Sequence, residues 1–192
     1  MANPSESLIA QLRAQTAELH QQLDDALELE IGQITRQKYV EFLRGSLAAL
    51  EPLETGLKPW LKPDARSRCE ALRQDLRTLG ADSVVAPLPD APRLENEAAA
   101  FGARYVIEGS ALGGAILSRN FDVALQLEGS ALSYLTLHGA GLGEHWRGFL
   151  AELEAFGRSA TSAERAEACE SAKAVFKLYA DGFRSTGAIT AR

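Results

Sequence analysis

An all-α fold, one domain over residues 1–192 built as a bundle of about six to eight helices, is predicted by three observations. Apolar residues recur at three-, four- and seven-residue offsets along most of the chain. No stretch sustains the alternation of a half-buried strand. A hydrophobic content of 46% over 192 residues supplies enough apolar surface for one core.

Each element follows from its own pattern. Residues 7–27 carry Leu8, Leu12, Leu19, Leu23 and Leu27 as one stripe, with His20 beside it. Thr35 reads as the cap of a second helix, continued by Tyr39, Phe42, Leu43, Leu47 and Leu50 and expected to end at Pro52, before turns around Gly56, Pro59 and Pro63. A third, more exposed helix is expected over 64–79, closed by Gly80. Pro87, Pro89 and Pro92 make 80–92 irregular. Residues 93–118, RLENEAAAFGARYVIEGSALGGAILS, start as an Ala-rich helix that four glycines interrupt or thin. A loop or short helix is expected at 119–133, then a helix from about Glu144 with Trp146, Phe149, Leu150 and Leu153. Thr161 and Glu164 form a capping box for the last helix, whose buried face is Ala168, Ala172, Val175, Phe176, Tyr179 and Phe183. Residues 187–192 are expected to be a loose tail.

Composition excludes several functions. With 20 basic against 26 acidic side chains and a net charge of −6, the surface does not suit a phosphate backbone, so no nucleic acid partner is expected. Cys69 and Cys169 stand far apart with no CxxC or Cys/His spacing, which leaves neither a zinc motif nor a disulfide framework and fits a reducing cytoplasm. The N-terminus MANPSESLIA has no basic region leading into an apolar run, and no stretch approaches the ~18 apolar residues of a membrane span. A soluble cytoplasmic protein is expected.

The glycines and histidines carry the chemistry. A glycine inside a helix costs about 1 kcal/mol against alanine, so Gly109, Gly113 and Gly114 need a compensating reason. Their bare backbone admits either a flat ligand or another helix, since GSALGG also fits a small-xxx-small contact. A phosphate loop is excluded, because no strand precedes the glycines and no Lys-Ser/Thr follows. His20, alone, is more often a packed residue than a ligand. His20 and Asp24 are too few ligands for zinc or non-heme iron. Heme is different: the porphyrin supplies four nitrogens and the protein need give only one.

Two segments carry a family resemblance. LRAQTAELHQQLD, residues 12–24, resembles the proximal helix of heme oxygenases, and YVIEGSALGGAIL, residues 105–117, resembles their distal helix. The order, the separation and the closing ESAKAVFKLYADGF also match, so the resemblance covers nearly the whole chain and is closest to the bacterial branch.

The resemblance implies that His20 ligates heme iron and that Gly109, Ser110, Gly113 and Gly114 form the distal wall where dioxygen reacts, heme being both cofactor and substrate. It implies that Arg13 and Arg147 meet the propionates; Arg13 lies two turns, roughly 10 Å, before His20 on the same face, though a solvated surface arginine fits the spacing equally. Phe176, Tyr179 and Phe183 are expected to line the pocket, a role that competes with ordinary core packing. Two departures stand out. A further basic position of the family falls at Ala151, which leaves the heme orientation and the biliverdin isomer open, and the aspartate that mammalian members carry after the first distal glycine is Ser110. Proton delivery is then expected through water held by Ser110, or through Arg104 or Tyr105.

The implied activity is cleavage of heme to biliverdin, CO and Fe2+, with electrons from a separate ferredoxin or flavoprotein reductase, since the chain has no room for a redox module of its own. The alternatives are a heme carrier or sensor with the same pocket, and a non-heme member of the same helical fold. The last requires carboxylate and histidine ligands converging in the core, for which the sequence offers only the scattered Glu108 and His138.

Overall fold

The computed structural model describes residues 7–27, 34–88 and 91–189. Six α-helices follow one another: α1 (Leu8–Leu27), α2 (Arg36–Leu57), α3 (Arg68–Thr78), α4 (Glu97–Leu125), α5 (Leu142–Ser159) and α6 (Ser162–Thr186). Short 3-10 turns occupy Lys58–Trp60 and Gly139–Gly141, and no strand occurs among the described residues. The apolar face of α6 packs against α4, α2 and α1; α3 rests on α2, and α5 bridges α1 and α4.

The helix starts follow local chemistry. Thr35 accepts from the Lys38 amide, and Thr161 and Glu164 close a reciprocal capping box, each satisfying backbone donors that the first turn leaves free. Ser67 and Asn96 cap α3 and α4 in the same way.

Several boundaries differ from the sequence expectation. Pro52 does not end α2, which runs on to Leu57, because Leu53 and Leu57 are buried in the core and their packing outweighs one lost backbone hydrogen bond. The third helix starts at Arg68 rather than 64, where Ser67 supplies the cap. The glycines thin α4 without interrupting it, and the helix continues past 119 to Leu125 because Phe121 is fully buried and stacked on Tyr39, ring centroids 4.1 Å apart. α5 begins at Leu142 instead of Glu144. Beyond α6, Ile189 is buried and its amide donates to the Phe183 carbonyl, so 187–189 are anchored instead of loose; 190–192 fall outside the described residues.

Some glycines serve helix packing. A Cβ at Gly102 would lie 2.0 Å from the Ala168 carbonyl oxygen on α6, and one at Gly182 would lie 2.4 Å from the Gly45 carbonyl oxygen on α2. These are backbone-to-backbone contacts with no flexible atom to yield. Gly102→Ala is therefore expected to lower stability by about 2–3 kcal/mol, despite the better helix propensity of alanine, as measured by urea unfolding.

Candidate functional site

α1 and α4 do not pack along each other; between them lies a cavity of about 520 Å³, which α6 also walls. On α1, Leu8, Leu12 and Thr16 turn into the core, and His20, one turn further, reaches the cavity with its side chain 63% exposed. Its ring stands edge-on to Phe176 at 5.7 Å, and its Nε2 lies 3.6 Å from Asp24 Oδ2. The imidazole is thus held by an aromatic neighbour without being buried, which removes the packed-core reading of this histidine. Arg13 lies on the same wall, its guanidinium beside the Tyr105 hydroxyl.

The opposite wall is α4, through Gly109, Ser110, Gly113 and Gly114. A Cβ at Gly113 would meet nothing within 4 Å, and one at Gly109 only the Trp146 ring at 3.7 Å; at Gly114 it would touch Leu135 at 3.4 Å. Nothing presses on Gly113, and Gly109 has only the Trp146 side chain of α5 at ordinary contact distance, in contrast to Gly102, which meets backbone. The bare surface at Gly113 opens onto the cavity, so helix packing does not explain it, and the missing side chain leaves room for a flat ligand.

The third side is the segment 126–138, which sequence periodicity leaves without form. Gln126, Glu128 and Ala131 adopt left-handed backbone, a conformation costly for non-glycine residues. Tertiary bonds impose it. The buried Asp75 carboxylate accepts from the amides of Ser133 and Tyr134, both at 2.8 Å; the Tyr39 hydroxyl donates to the Ala131 carbonyl at 2.6 Å, and Arg66 to that of Leu137 at 2.7 Å. Leu135, Leu137 and His138 are thereby fixed on the cavity wall.

Polar groups gather there. Burial pushes the Tyr134 and Tyr179 hydroxyls above the usual phenol range, and Ser46 and Ser110 stand beside them. The buried Ser46 Oγ, Tyr179 hydroxyl and His138 Nε2 lack a well-formed hydrogen bond, and all three residues line the cavity, as expected of a wall that waits for water or a polar ligand. Behind it, Glu108, 2% exposed, takes Arg68 at 2.5 Å and His145 at 2.7 Å. Burial alone would raise this carboxyl, but Arg68, with His145 and Arg104, holds it below the ordinary carboxylate range. Burial, with the neighbouring His145 and Arg68, pushes His138 down to about 4, so its ring is neutral at pH 7.

The heme oxygenase family model matches residues 6–185. The chain belongs to the heme oxygenase family. A relative named heme oxygenase, from Xanthomonas campestris pv. campestris (strain 8004), is 37% identical over 157 residues, which cover 77% of this chain and 90% of the relative. Among solved structures, the NO- and CO-bound heme oxygenase from Neisseria meningitidis aligns with a TM-score of 0.72 and 25% identity, covering 97% of this chain and 95% of that one.

This heme oxygenase brings together on one cavity His20, Arg13, Gly109, Ser110, Gly113, Gly114, Phe176, Tyr179 and Phe183. Arg147 is exposed on α5 beside the cavity-lining Trp146 and is not part of the wall. Ser110 donates to the Ile107 carbonyl at 2.9 Å and stands on the cavity wall beside the Tyr134 and Tyr179 hydroxyls. Arg104 is turned away: it pairs with Glu152 at 2.9 Å and lies over the Phe101 and Phe149 rings, which removes it as a proton donor to this cavity. Sequence reasoning missed Arg68, Ser46 and Tyr134, since no spacing links α2, α3 and 126–138 to α4. It also left Glu108 and His138 as scattered candidates, whereas the fold gathers them with His145.

Proposed function

We propose that the cavity between α1 and α4 holds heme, with His20 as the iron ligand and the glycine-lined face of α4 against the opposite side of the ring. Heme, when bound, supplies the ring that is opened with O2 and external reducing equivalents to give biliverdin, CO and Fe2+. The observation that carries this reading is Gly113, open to the cavity with nothing within 4 Å of a Cβ there, on the same cavity as an exposed, aromatic-backed histidine.

The chain's own residues orient and enclose the ligand. Phe176 and Phe183 offer apolar surface to a flat ring, and Arg13 with Tyr105 offers a cation and a hydroxyl for carboxylates at its edge. The buried hydroxyls of Ser46, Tyr134 and Tyr179, with Ser110, offer sites for ordered water, the route by which protons reach the reacting face. Arg68, on the same wall and paired with Glu108, adds a guanidinium donor to this polar side of the cavity. Electrons come from a separate ferredoxin or flavoprotein reductase. No helix among the described residues is long and apolar enough to cross a membrane.

Adding hemin to the purified protein is expected to give a histidine-ligated Soret band that decays under reductant and O2 as biliverdin absorption grows. A Soret band that forms and persists would establish a carrier or sensor instead, and its absence would remove heme from the account.

A further inference from the structure

The Glu108 carboxylate and the ring nitrogens of His138 and His145 lie within 4.8 Å of one another. They come from three elements: mid-α4, the end of the 126–138 segment and the first turn of α5. Two imidazoles and one carboxylate with open positions suit divalent first-row metals, ferrous iron and zinc among them. Glu108 and His145 stand on helices, and the segment that presents His138 is fixed by the Asp75 and Arg66 hydrogen bonds described above. One ligand atom is already free: the buried Nε2 of His138 has no hydrogen-bond partner, and its separation from Glu108 Oε2 is 3.9 Å.

We propose that Glu108, His138 and His145 form a divalent transition-metal site against the wall of the heme cavity, the first set of ligands met by ferrous iron as it leaves. That role in iron exit rests on the heme oxygenase reading, but the existence of the site does not. His138, one of the three ligands, lines the cavity together with Arg68, so the cluster reaches the cavity wall through that side chain. Two features set the affinity. Arg68 occupies Glu108 Oε2 at 2.5 Å, and an arriving ion must displace it or use the second carboxylate oxygen. The two imidazoles are stacked, with centroids 3.9 Å and planes 21° apart, whereas a metal lies in the plane of each ring it binds, so one ring must turn out of the stack. Both costs favour an exchangeable site over a permanently loaded one, which suits a cation in transit.

The test uses the heme-free protein, titrated calorimetrically with Zn2+ and, under nitrogen, with Fe2+. One ion per chain is expected, with affinity reduced by at least about tenfold in His145→Ala and in His138→Gln and retained in His20→Ala. His145 is 37% exposed, so its replacement leaves a folded protein, which a melting scan checks. Absence of binding in the wild type overturns the proposal, as does equal binding by both histidine variants. Loss of binding in His20→Ala overturns it too, by moving the ion to the His20–Asp24 pair. Hemin titration of the same wild-type protein is a separate readout: failure there removes heme and the iron-exit role but leaves the ion result standing.

Discussion

His20→Ala is expected to lower heme turnover by orders of magnitude while leaving the apoprotein folded. The side chain is 63% exposed and makes only an edge contact with Phe176, so its truncation changes unfolding free energy by no more than about 0.5 kcal/mol. The functional loss is expected to be about a hundredfold or more, because no other histidine or cysteine lines the cavity near α1 and His138 lies on the other wall. Absorption spectra of the hemin complex and single-turnover biliverdin formation are the measurements; full activity in this variant would sink the assignment of His20. A large drop in melting temperature would show instead that the histidine is structural.

Gly113→Ala and Gly113→Leu are expected to separate stability from function. A Cβ at this position meets no atom within 4 Å, and it lies in the interior of α4, so alanine should stabilise the apoprotein by about 0.5–1 kcal/mol through helix propensity. The same Cβ projects toward the cavity, where the ring and its oxygen must fit. Turnover should fall with side-chain size, by about a hundredfold for leucine. Thermal unfolding of the apoprotein and biliverdin formation by the hemin complex read the two effects. Opposite signs support the ligand-facing glycine; a loss of stability with unchanged turnover would return Gly113 to helix packing. Gly102→Ala is the internal contrast, since there the Cβ would collide with the Ala168 carbonyl.

Much of the frame was legible because it is written in local chemistry. The leucine stripe of α1, the caps at Thr35 and Thr161 and the buried face of α6 each depend on residues within two turns of one another, and each stands where the periodicity places it. His20 and the glycines of α4 were singled out for a second reason, the resemblance of two segments to a known family. Boundaries were misread where distant packing overrides local signals. Pro52 is carried inside α2 by the burial of Leu53 and Leu57, and α4 is extended by Phe121 stacking on Tyr39.

The sequence by itself determined the helices, their order and the two segments that face the cavity, since periodicity and capping act between near neighbours and need no knowledge of the rest of the chain. Only the tertiary structure distinguished glycines by their surroundings: Gly102 and Gly182 against backbone of another helix, Gly113 against open space. It alone bent 126–138 into left-handed backbone, by supplying the Asp75 carboxylate from α3. It also turned Arg104 away from the cavity and drew Glu108, His138 and His145 into one cluster beside Arg68. The reason is the same in each case: hydrogen bonds, ion pairs and steric contacts act over a few ångströms in space, and they join parts of the chain that are far apart in sequence, as with Glu108 and His145 at a separation of 37.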